Sequence, residues 1–280
     1  MIYPYFLIYK FDSMSKIVFS LVLYKQKMKD ILPLLKSIEE LNKLYKNQVF
    51  LSIYDNSETN KRFSLRDFKF LEFPVNYFHN SKNIGFGKAN NLNFNNYDFD
   101  NDDIFIISNP DTFFESKEMQ NFINAFQNHS RIVCANPLIK NNSISIQYSS
   151  KKDPTLLSLL IGFFPFLKVI KFLKKYDLIH KNKDNNYSKD TFQANYLSGS
   201  FLVVKANIFK KVKGFTNAYF LHLEDADFVR KCSRHGLTAH FPKGEIIHKW
   251  NRGSHKSLFQ IYHVMRSMII YFYKWGFKII

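Results

Sequence analysis

The amino-terminal part of the chain alternates short apolar runs with a segment of helical periodicity. Residues 16–23 (KIVFSLVL) and 49–54 (VFLSIY) have the length and composition of buried parallel strands, and apolar residues recur at helical spacing over residues 31–41 between them. A strand–helix–strand unit binds its ligands at the carboxyl ends of its strands. Asp55, Asn56 and Ser57 follow the second run, so we expect them near a ligand in an α/β fold.

A third strand candidate, residues 75–79, leads into a glycine-containing segment, NIGFGKANN, at Asn83–Asn91. Gly85 and Gly87 permit close approach of the backbone, and a helix that begins there could offer N–H groups to a phosphate or sugar oxygen. The segment lacks the Gly-Lys-Ser/Thr ending of a Walker loop, so an ordinary turn is the alternative interpretation.

A fourth strand candidate, residues 103–108, leads into Asn109-Pro110-Asp111. Proline cannot continue a central ladder, so the strand should end there and leave Asp111 facing the cleft. The Asp111 carboxylate could then hold a hard divalent cation that also bridges phosphate oxygens. A helix N-cap is the structural alternative for this aspartate.

Three carboxylates, Glu224, Asp225 and Asp227, fall within four residues of each other. The apolar spacing after them predicts a helix that begins at this cluster and is capped at its C-terminus by Gly236. Acidic residues are common in a first helical turn, where the helix dipole stabilises them. Small residues at 198–200 and aromatic residues at 219–220 precede the cluster, however, and apolar surroundings can raise the pKa of a carboxylate toward that of a useful general base.

The formal net charge of +17 indicates an anionic partner: nucleic acid, anionic lipid or a phosphate-bearing substrate. Cys134 and Cys232 have no metal-ligand spacing around them and are expected as buried thiols in a reducing cytosol. No apolar run reaches the roughly 18 residues of a spanning helix. The first residues do not resemble a signal peptide, and we expect Met14 to be the native start.

Two basic, aromatic segments indicate contact with a membrane surface. Thr155–Lys175 is mainly apolar, is interrupted by Pro165 and gathers lysines toward its end, whereas Tyr262–Ile280 mixes aromatic residues, methionine and lysine. Such segments suit the interface of an anionic bilayer. A core helix with a solvated lysine edge is the alternative for the first of them.

Taken in order, these motifs resemble the inverting family-2 glycosyltransferases with a GT-A fold, and within them the bacterial rhamnosyltransferase-like branch. DNS at Asp55–Ser57, NIGFGKANN at Asn83–Asn91 and NPDT at Asn109–Thr112 resemble the nucleotide and metal motifs of that family. LSGSFLVVKANIFKKVKGF followed by YFLHLEDADFVRKCSRHG is the strongest match, and IIHKW with Gly253–Ser254 resembles the late histidine motif. The resemblance implies a Rossmann-like, mixed, mainly parallel sheet flanked by helices.

The resemblance also implies a role for each matching residue. The nucleotide-binding residues would be Asp55, Asn83, Gly85, Asn90 and Asn109, with Asp55 at the pyrimidine base. The sugar and acceptor pocket would include Gly199, Ser200 and Asp227. Mg²⁺ or Mn²⁺ on the donor diphosphate would be held by Asp111 and His248. Asp225 would be the general base, supported by Glu224.

Two departures from the family pattern, and a structural alternative for His248, bear on these roles. The first strand ends in Leu-Tyr-Lys instead of a Thr-Tyr-Asn-like sequence, which leaves its contacts with the base open. Asn109 replaces an acid, which should lower metal affinity. His248 follows a β-type run, where a lone histidine is also common as a structural residue.

The resemblance implies transfer of a sugar, with inversion, from a nucleotide-diphosphate donor to a glycan or undecaprenyl-pyrophosphate-linked acceptor in bacterial surface polysaccharide synthesis. dTDP-rhamnose is the favoured donor, and UDP-hexose or UDP-N-acetylhexosamine is the alternative. A non-catalytic basic protein that binds nucleic acid or membrane is more remote, because it leaves Asp55, Asp111 and Asp225 unexplained. We therefore expect no nucleic-acid partner, and a cytoplasmic location on the inner face of the membrane.

The expected domain organisation follows the same resemblance. Residues 1–15 would be an extension, and residues 16–254 would form the GT-A domain, with a nucleotide-binding half at 16–136 and an acceptor half at 137–254. Residues 255–280 would form a C-terminal amphipathic helix with possible membrane contact. The sequence gives no indication of an oligomeric state.

Overall fold

The computed structural model describes residues 15–249 and 258–280, without the side chains of residues 61 and 258–260. The expected start at Met14, residues 1–14 of the expected extension, the Gly253–Ser254 motif and the boundary at 254 lie outside the described residues.

Eleven strands are formed by the described residues. In chain order they are β1 (Ile17–Leu23), β2 (Val49–Asp55), β3 (Val75–His79), β4 (Ile104–Ser108), β5 (Thr112–Phe113), β6 (Ile132–Lys140), β7 (Ser150–Lys151), β8 (Phe192–Gln193), β9 (Tyr196–Leu197), β10 (Phe201–Lys205) and β11 (Leu237–His248). Nine of them form one sheet in the order β3-β2-β1-β4-β10-β6-β11-β5, with β8 also paired to β11. β7 and β9 pair separately in antiparallel orientation.

The sheet is mixed, and its amino-terminal half is parallel. β1 pairs in parallel with β2 and β4, and β2 pairs in parallel with β3. β10 is antiparallel to β4 and β6, whereas β6 and β11 are again parallel. The predicted α/β class with a mainly parallel sheet is therefore confirmed.

Eight α-helices are described: α1 (Met28–Leu44), α2 (Phe86–Asn95), α3 (Ser116–Asn128), α4 (Leu156–Phe163), α5 (Lys171–His180), α6 (Ala206–Lys211), α7 (Glu224–Cys232) and α8 (Leu258–Trp275). Successive residues of β1 point to opposite faces of the sheet. On one face, Phe19 and Leu21 join a core built with α1 and α3. On the other, Val18 joins a core built with α2, α6 and α7. Both faces of the central strand are therefore covered by helices.

The helix that begins at the acidic cluster is present, but its cap differs from the prediction. α7 starts at Glu224 and ends at Cys232, with Ser233 as its C-cap. Gly236 instead lies where β11 approaches β6, and a Cβ there would collide with the Val133 side chain and lie 2.9 Å from the Arg131 carbonyl oxygen. The glycine is required by close packing between strands, which the helical pattern alone could not reveal.

The two segments predicted at a membrane surface are structured differently from each other. Thr155–Lys175 forms a helical hairpin, which we define as residues 156–180: α4, a 3₁₀ turn at Pro165–Val169, and α5. α8 packs against the domain, where its buried Tyr271 joins Tyr219, Leu223 and Ala226 in a third core. None of the described helices is both long and apolar enough to cross a bilayer. Cys134 and Cys232 are buried free thiols, as expected.

Candidate active site

A cleft of about 460 Å³ opens at the carboxyl ends of β1, β2 and β4. The residues named in the sequence analysis that line it include Asn56, Asn83, Gly85, Asn109, Pro110 and Asp111, whereas Asp225 and His248 are not part of its lining. The cleft thus lies at the edge where parallel strands of an α/β sheet bind ligands.

The glycine-containing loop forms one wall of the cleft through a fixed backbone path. Gly85 has φ +88°, and a Cβ at this position would lie 2.8 Å from the Phe220 carbonyl oxygen. The Asn83 side-chain oxygen accepts a hydrogen bond from Gly85 N–H at 2.9 Å, and that of Asn56 accepts one from Ile84 N–H at 3.1 Å. Asn56, between Asp55 and Ser57, therefore both lines the cleft and holds the glycine loop in place.

Asp55 supports this wall from behind. Its side chain is fully buried. One carboxylate oxygen accepts a hydrogen bond from Ser57 N–H at 2.8 Å, and the other accepts from Phe63 N–H at 3.1 Å and the Tyr77 hydroxyl at 3.0 Å. The cleft surface next to it is formed by Asn56 instead, so the expected contact between Asp55 and the base stays a prediction.

Asn90, expected to bind nucleotide, does not face the cleft. Its side chain is fully buried, accepts a hydrogen bond from the Ser20 hydroxyl at 2.6 Å and donates one to the Phe86 carbonyl oxygen at 3.0 Å. Asn93 donates to the same Ser20 hydroxyl at 2.9 Å. These residues form a polar network between α2 and the sheet, and a role for Asn90 in nucleotide binding stays a prediction.

Asp111 and His248 meet at the cleft, as the metal-site prediction requires. Asp111 Oδ1 lies 3.2 Å from His248 Nε2, and the Asn109 side-chain nitrogen lies 3.4 Å from the same ring nitrogen. His248 Nδ1 is 3.0 Å from the Gln147 side-chain oxygen, which orients the ring. Among the described residues no group of three or more His, Cys, Asp or Glu side chains is arranged to hold a metal. Mg²⁺ at a phosphate site is usually held by one or two carboxylates, with phosphate oxygens and water as its other ligands. The Asp111 carboxylate fits this arrangement, whereas the His248 imidazole is not a preferred ligand for so hard a cation.

The carboxylate of Asp225 is fixed by backbone donors. Asp225 Oδ2 accepts from Gly199 N–H at 3.0 Å, and Oδ1 accepts from its neighbour Ala226 N–H at 2.9 Å. A Cβ at Gly199 would lie 3.2 Å from the Phe86 ring and 3.4 Å from the Asp225 Cβ. Because Phe86 also lines the cleft, Gly199 allows Asp225 to approach the cleft wall. Asp225 itself is half-buried, so part of its surface stays accessible.

Burial sets the protonation behaviour of the acidic pair. It raises the pKa of Asp225, an effect that the N–H groups of Gly199 and Ala226 and the charge of Lys151 oppose. Burial and the neighbouring Asp225 charge raise the pKa of Glu224 much further. Within the described residues, Glu224 Oε2 is buried without a hydrogen-bond partner. At neutral pH the pair therefore favours a protonated Glu224 beside an ionised Asp225.

Asp227 and Ser200, both expected in the sugar and acceptor pocket, have other surroundings. Asp227 is fully buried; it accepts hydrogen bonds from Trp275 Nε1 at 2.7 Å and the Thr216 hydroxyl at 2.6 Å, and pairs with Lys274 at 2.7 Å. Asp227 thus anchors α8 on the domain, and its expected role in the sugar and acceptor pocket stays a prediction. Ser200 is buried, and its carbonyl oxygen accepts from Asn109 N–H at 2.8 Å, so it positions the NPD segment through its backbone.

Asp30 lines the cleft without having been singled out by the sequence, and the sequence indicated no definite role at the cleft for Tyr24, Lys25 or Phe220. Tyr24 and Lys25 directly follow β1, so their place at the carboxyl edge of the sheet was a usable signal. Ser57 holds this segment, because its hydroxyl accepts a hydrogen bond from Lys25 N–H at 2.6 Å. Phe220 lies more than 130 residues after Gly85 in the sequence, so no local pattern could place it beside the glycine loop.

Sequence comparison finds rhamnosyltransferases among the relatives of this chain, although no protein-family model matches it. The chain is 26% identical over 170 residues to the rhamnosyltransferase WbbL of Escherichia coli, covering 59% of this chain and 60% of that protein. It is also 26% identical over 152 residues to the N-acetylglucosaminyl-diphospho-decaprenol L-rhamnosyltransferase of Mycobacterium tuberculosis, covering 52% and 47%. The aligned region thus spans only about half to three fifths of these relatives.

Solved structures share the fold at much lower sequence identity. GalNAc-T7 with UDP, GalNAc and Mn²⁺ superposes with a TM-score of 0.62 and 12% identity over 85% of this chain and 44% of that chain. The Pyrobaculum calidifontis mannosyltransferase PcManGT with GDP-Man and Mn²⁺ gives a TM-score of 0.60 and 11% identity over 92% and 64%. The chain therefore shares the GT-A fold of these structures and is similar in sequence to rhamnosyltransferases.

Proposed function

We propose that this chain transfers a sugar from a nucleoside-diphosphate donor to a hydroxyl of an acceptor by a single, inverting displacement. The donor would occupy the cleft, with its diphosphate near Asn109 and Asp111. Asp225 would remove the proton of the acceptor hydroxyl as that oxygen attacks the anomeric carbon. The observation that carries this proposal is the Asp225 carboxylate, half-buried, held by Gly199 and Ala226 N–H groups, and placed beside the Phe86 wall of the cleft.

The surroundings of Asp225 support its role as the base. A general base works best when its pKa lies near the working pH, and burial moves the pKa of Asp225 upward from its ordinary value. A protonated Glu224 beside it would carry no charge, which keeps Asp225 as the single anion of the pair. Gly199 N–H would hold the Asp225 side chain in one orientation as it takes up the proton.

Asp111 and His248 would hold Mg²⁺ or Mn²⁺, and the bound cation would stabilise the charge of the diphosphate leaving group. The carboxylate and the imidazole lie 3.2 Å apart at the cleft, and structural neighbours of this chain were determined with Mn²⁺. Asn109 would orient His248 and contact the diphosphate through its amide.

The donor and acceptor follow from the relatives. Both aligned relatives bear rhamnosyltransferase names, so we propose dTDP-rhamnose as donor, with UDP-hexose or UDP-N-acetylhexosamine as the alternative. One relative is named for a diphospho-decaprenol acceptor, which supports a lipid-linked or glycan acceptor in cell-surface polysaccharide synthesis. Such an acceptor would place the protein on the cytoplasmic face of the membrane.

The test of the base is Asp225→Asn. The amide keeps the size of the side chain but cannot take the proton, so we expect kcat to fall by about 10²–10⁴ while nucleotide affinity is retained. Sugar transfer is measured by the release of nucleoside diphosphate, and nucleotide affinity is measured by calorimetry. Near-wild-type turnover in Asp225→Asn would remove Asp225 from the mechanism.

A further inference from the structure

A second cavity, of about 310 Å³, lies apart from the donor cleft. Its walls come from β7, the helical hairpin and α8, together with the loop before α7. The apolar part of the wall is formed by Leu159, Phe163, Ile261 and Val264, and the basic part by Lys151 and Lys181. An apolar wall combined with lysines suits an amphiphilic ligand that has an anionic group and a hydrocarbon part.

One loop separates this second cavity from the donor cleft. Phe220 and Leu221 line the donor cleft, whereas the next two residues, His222 and Leu223, line the second cavity. Both His222 and Leu223 have positive φ, of 65° and 64°, which turns the chain sharply into α7. Asp225 follows this turn by two residues. The loop that separates the two cavities therefore leads directly to the candidate base.

Tyr196 connects the second cavity to Asp225. It lines the cavity, and burial together with the nearby charges of Asp225 and Glu224 raises its pKa well above the ordinary value. Lys151 Nζ lies 4.8 Å from the centre of the Tyr196 ring, and its charge also reaches Asp225. A ligand that fills this cavity would thus end close to the carboxylate that activates the acceptor hydroxyl.

The basic wall has more positive than negative charge. Asp177 pairs with Lys168 at 3.1 Å and with Lys181 at 2.8 Å, so two lysines already share one carboxylate. In the part of the chain that the structure describes, Lys151 has no carboxylate within ion-pair distance. Burial lowers the pKa of Lys151 and of Lys181, which means that each ammonium would gain from an anionic partner.

The apolar wall of the cavity continues toward an exposed apolar surface of the hairpin. Phe163, at the end of α4, lines the cavity, and the 3₁₀ turn that follows exposes Phe166 and Val169 by 68% and 86%. Phe172, on α5, is exposed by 62%. Large apolar side chains on one surface indicate an apolar contact partner. The cavity thus lies beside a surface that can meet hydrocarbon.

We propose that the second cavity binds the phosphate group of an amphiphile, with Lys151 and Lys181 at the phosphate and Leu159, Phe163, Ile261 and Val264 along the adjoining hydrocarbon. The inference rests on the proposed function, in which this amphiphile is the lipid-linked end of the acceptor. A phospholipid headgroup has the same chemistry and is the other possible source.

The test measures binding of two amphiphiles to the full chain in the presence of Mn²⁺: farnesyl diphosphate as the isoprenoid-diphosphate probe, and short-chain phosphatidylglycerol below its micellar concentration as the phospholipid probe. Saturating nucleoside diphosphate is present throughout to occupy the donor cleft. Tighter binding of the first probe identifies the acceptor as the source, and tighter binding of the second identifies a phospholipid.

Two variants separate this cavity from other sites. Lys151→Met keeps the aliphatic stem but removes the charge, and should weaken the preferred probe about tenfold or more. Gly162→Leu projects into the cavity, since a Cβ there meets nothing within 4 Å, and should weaken the probe to a similar extent. Gly162→Ala and Lys174→Met are the matched controls, the first too small to fill the cavity and the second an exposed lysine of α5 outside its lining, and should bind like wild type.

Nucleoside diphosphate binding is measured on each variant as a check on folding and on the donor site. Loss of the amphiphile with intact nucleotide binding supports the second cavity. If wild type, Lys151→Met and Gly162→Leu all bind the preferred probe with the same affinity, or if wild type binds neither probe, the second-cavity proposal is overturned. The proposed transferase function would still stand. Failure of the proposed function would be seen separately, as absence of nucleotide binding in the wild-type chain.

Discussion

Asp225 and Asp227 are two residues apart in the sequence, but they have unrelated surroundings. Successive residues of an α-helix are about 100° apart, so residues i and i+2 point in nearly opposite directions. Asp225 points to Gly199 and the cleft wall, whereas Asp227 points to Trp275 and Lys274 of α8. An acidic cluster read as one functional unit thus divides into a candidate base and a structural anchor.

This division predicts that Asp225→Asn and Asp227→Asn fail in different ways. Asp225→Asn should lose turnover and keep its Tm, because it retains the size of the side chain at a half-buried position. Asp227→Asn should lose about 1 to 3 kcal/mol of stability, since it disturbs the hydrogen bonds that a fully buried carboxylate accepts from Trp275 and Thr216. Thermal unfolding and transfer assays on both variants check this, and a stable but inactive Asp227→Asn would contradict the assignment.

Glu224 predicts a particular dependence of stability on pH. Its pKa is raised in the folded state, so the folded chain binds a proton more tightly than the unfolded chain. Stability is therefore highest below the pKa of Glu224 in the unfolded chain, and it falls as the pH rises from there to the pKa in the folded chain. Each unit of that shift corresponds to about 1.4 kcal/mol. Glu224→Gln removes this ionisation. The Tm of the variant minus that of wild type should therefore increase by several degrees from pH 5 to pH 9. Parallel Tm curves for the two proteins across this range would contradict a buried, protonated Glu224.

At the scale of elements, the strands and the helix at the acidic cluster could be predicted because each depends on local pattern. The four strand candidates lie within one residue of β1 to β4, and α7 begins at the predicted Glu224. The contact of Asn90 with Ser20 and the packing of Gly236 against Val133 could not be predicted, because these partners are far away in the sequence. Position along a motif indicates which element a residue occupies, but not which face of that element it occupies.

The glycine loop gives an element-scale prediction with a matched control. Gly85→Ala should destabilise the fold by about 1 to 2 kcal/mol, since alanine disfavours φ +88° and its Cβ would press on the Phe220 carbonyl oxygen. Displacement of Phe220 should also weaken nucleotide binding. Gly162→Ala lies in a helix with open space around its Cβ, and should leave stability unchanged or raise it by up to about 1 kcal/mol. Calorimetry measures the nucleotide affinity of both variants, and thermal unfolding measures their stability. An unchanged nucleotide affinity in Gly85→Ala would contradict the role of this loop.

At the scale of the whole molecule, the charge of +17 and the exposed apolar hairpin together predict binding to anionic bilayers. Truncation of the C-terminal segment is a poor test of this, because α8 buries Tyr271 against the residues that carry α7. Point variants are cleaner. Replacing Lys171, Lys174 and Lys175 by Gln should weaken sedimentation with phosphatidylglycerol liposomes, at about 1 kcal/mol for each lysine near the surface.

The control for the hairpin variant carries the same change in net charge elsewhere. Lys210, Lys211 and Lys213 are exposed at the end of α6, away from the hairpin, and their replacement by Gln should reduce liposome binding much less. Equal losses in the two triple variants would indicate attraction by the overall charge of the molecule, and would contradict a membrane contact made by the hairpin.

The central claim is that the cleft binds a nucleoside diphosphate together with a divalent cation at Asp111. The most direct measurement is the Tm of wild type and Asp111→Asn with uridine, thymidine, guanosine and cytidine diphosphates, each with and without Mn²⁺. A ligand at about 100 times its Kd adds roughly 2.7 kcal/mol, enough to raise the Tm by several degrees. We expect such a shift with thymidine diphosphate, dependent on Mn²⁺ in wild type and largely lost in Asp111→Asn; a shift with uridine diphosphate alone would instead favour a hexose or N-acetylhexosamine donor. No shift with any of the four nucleotides would contradict the account.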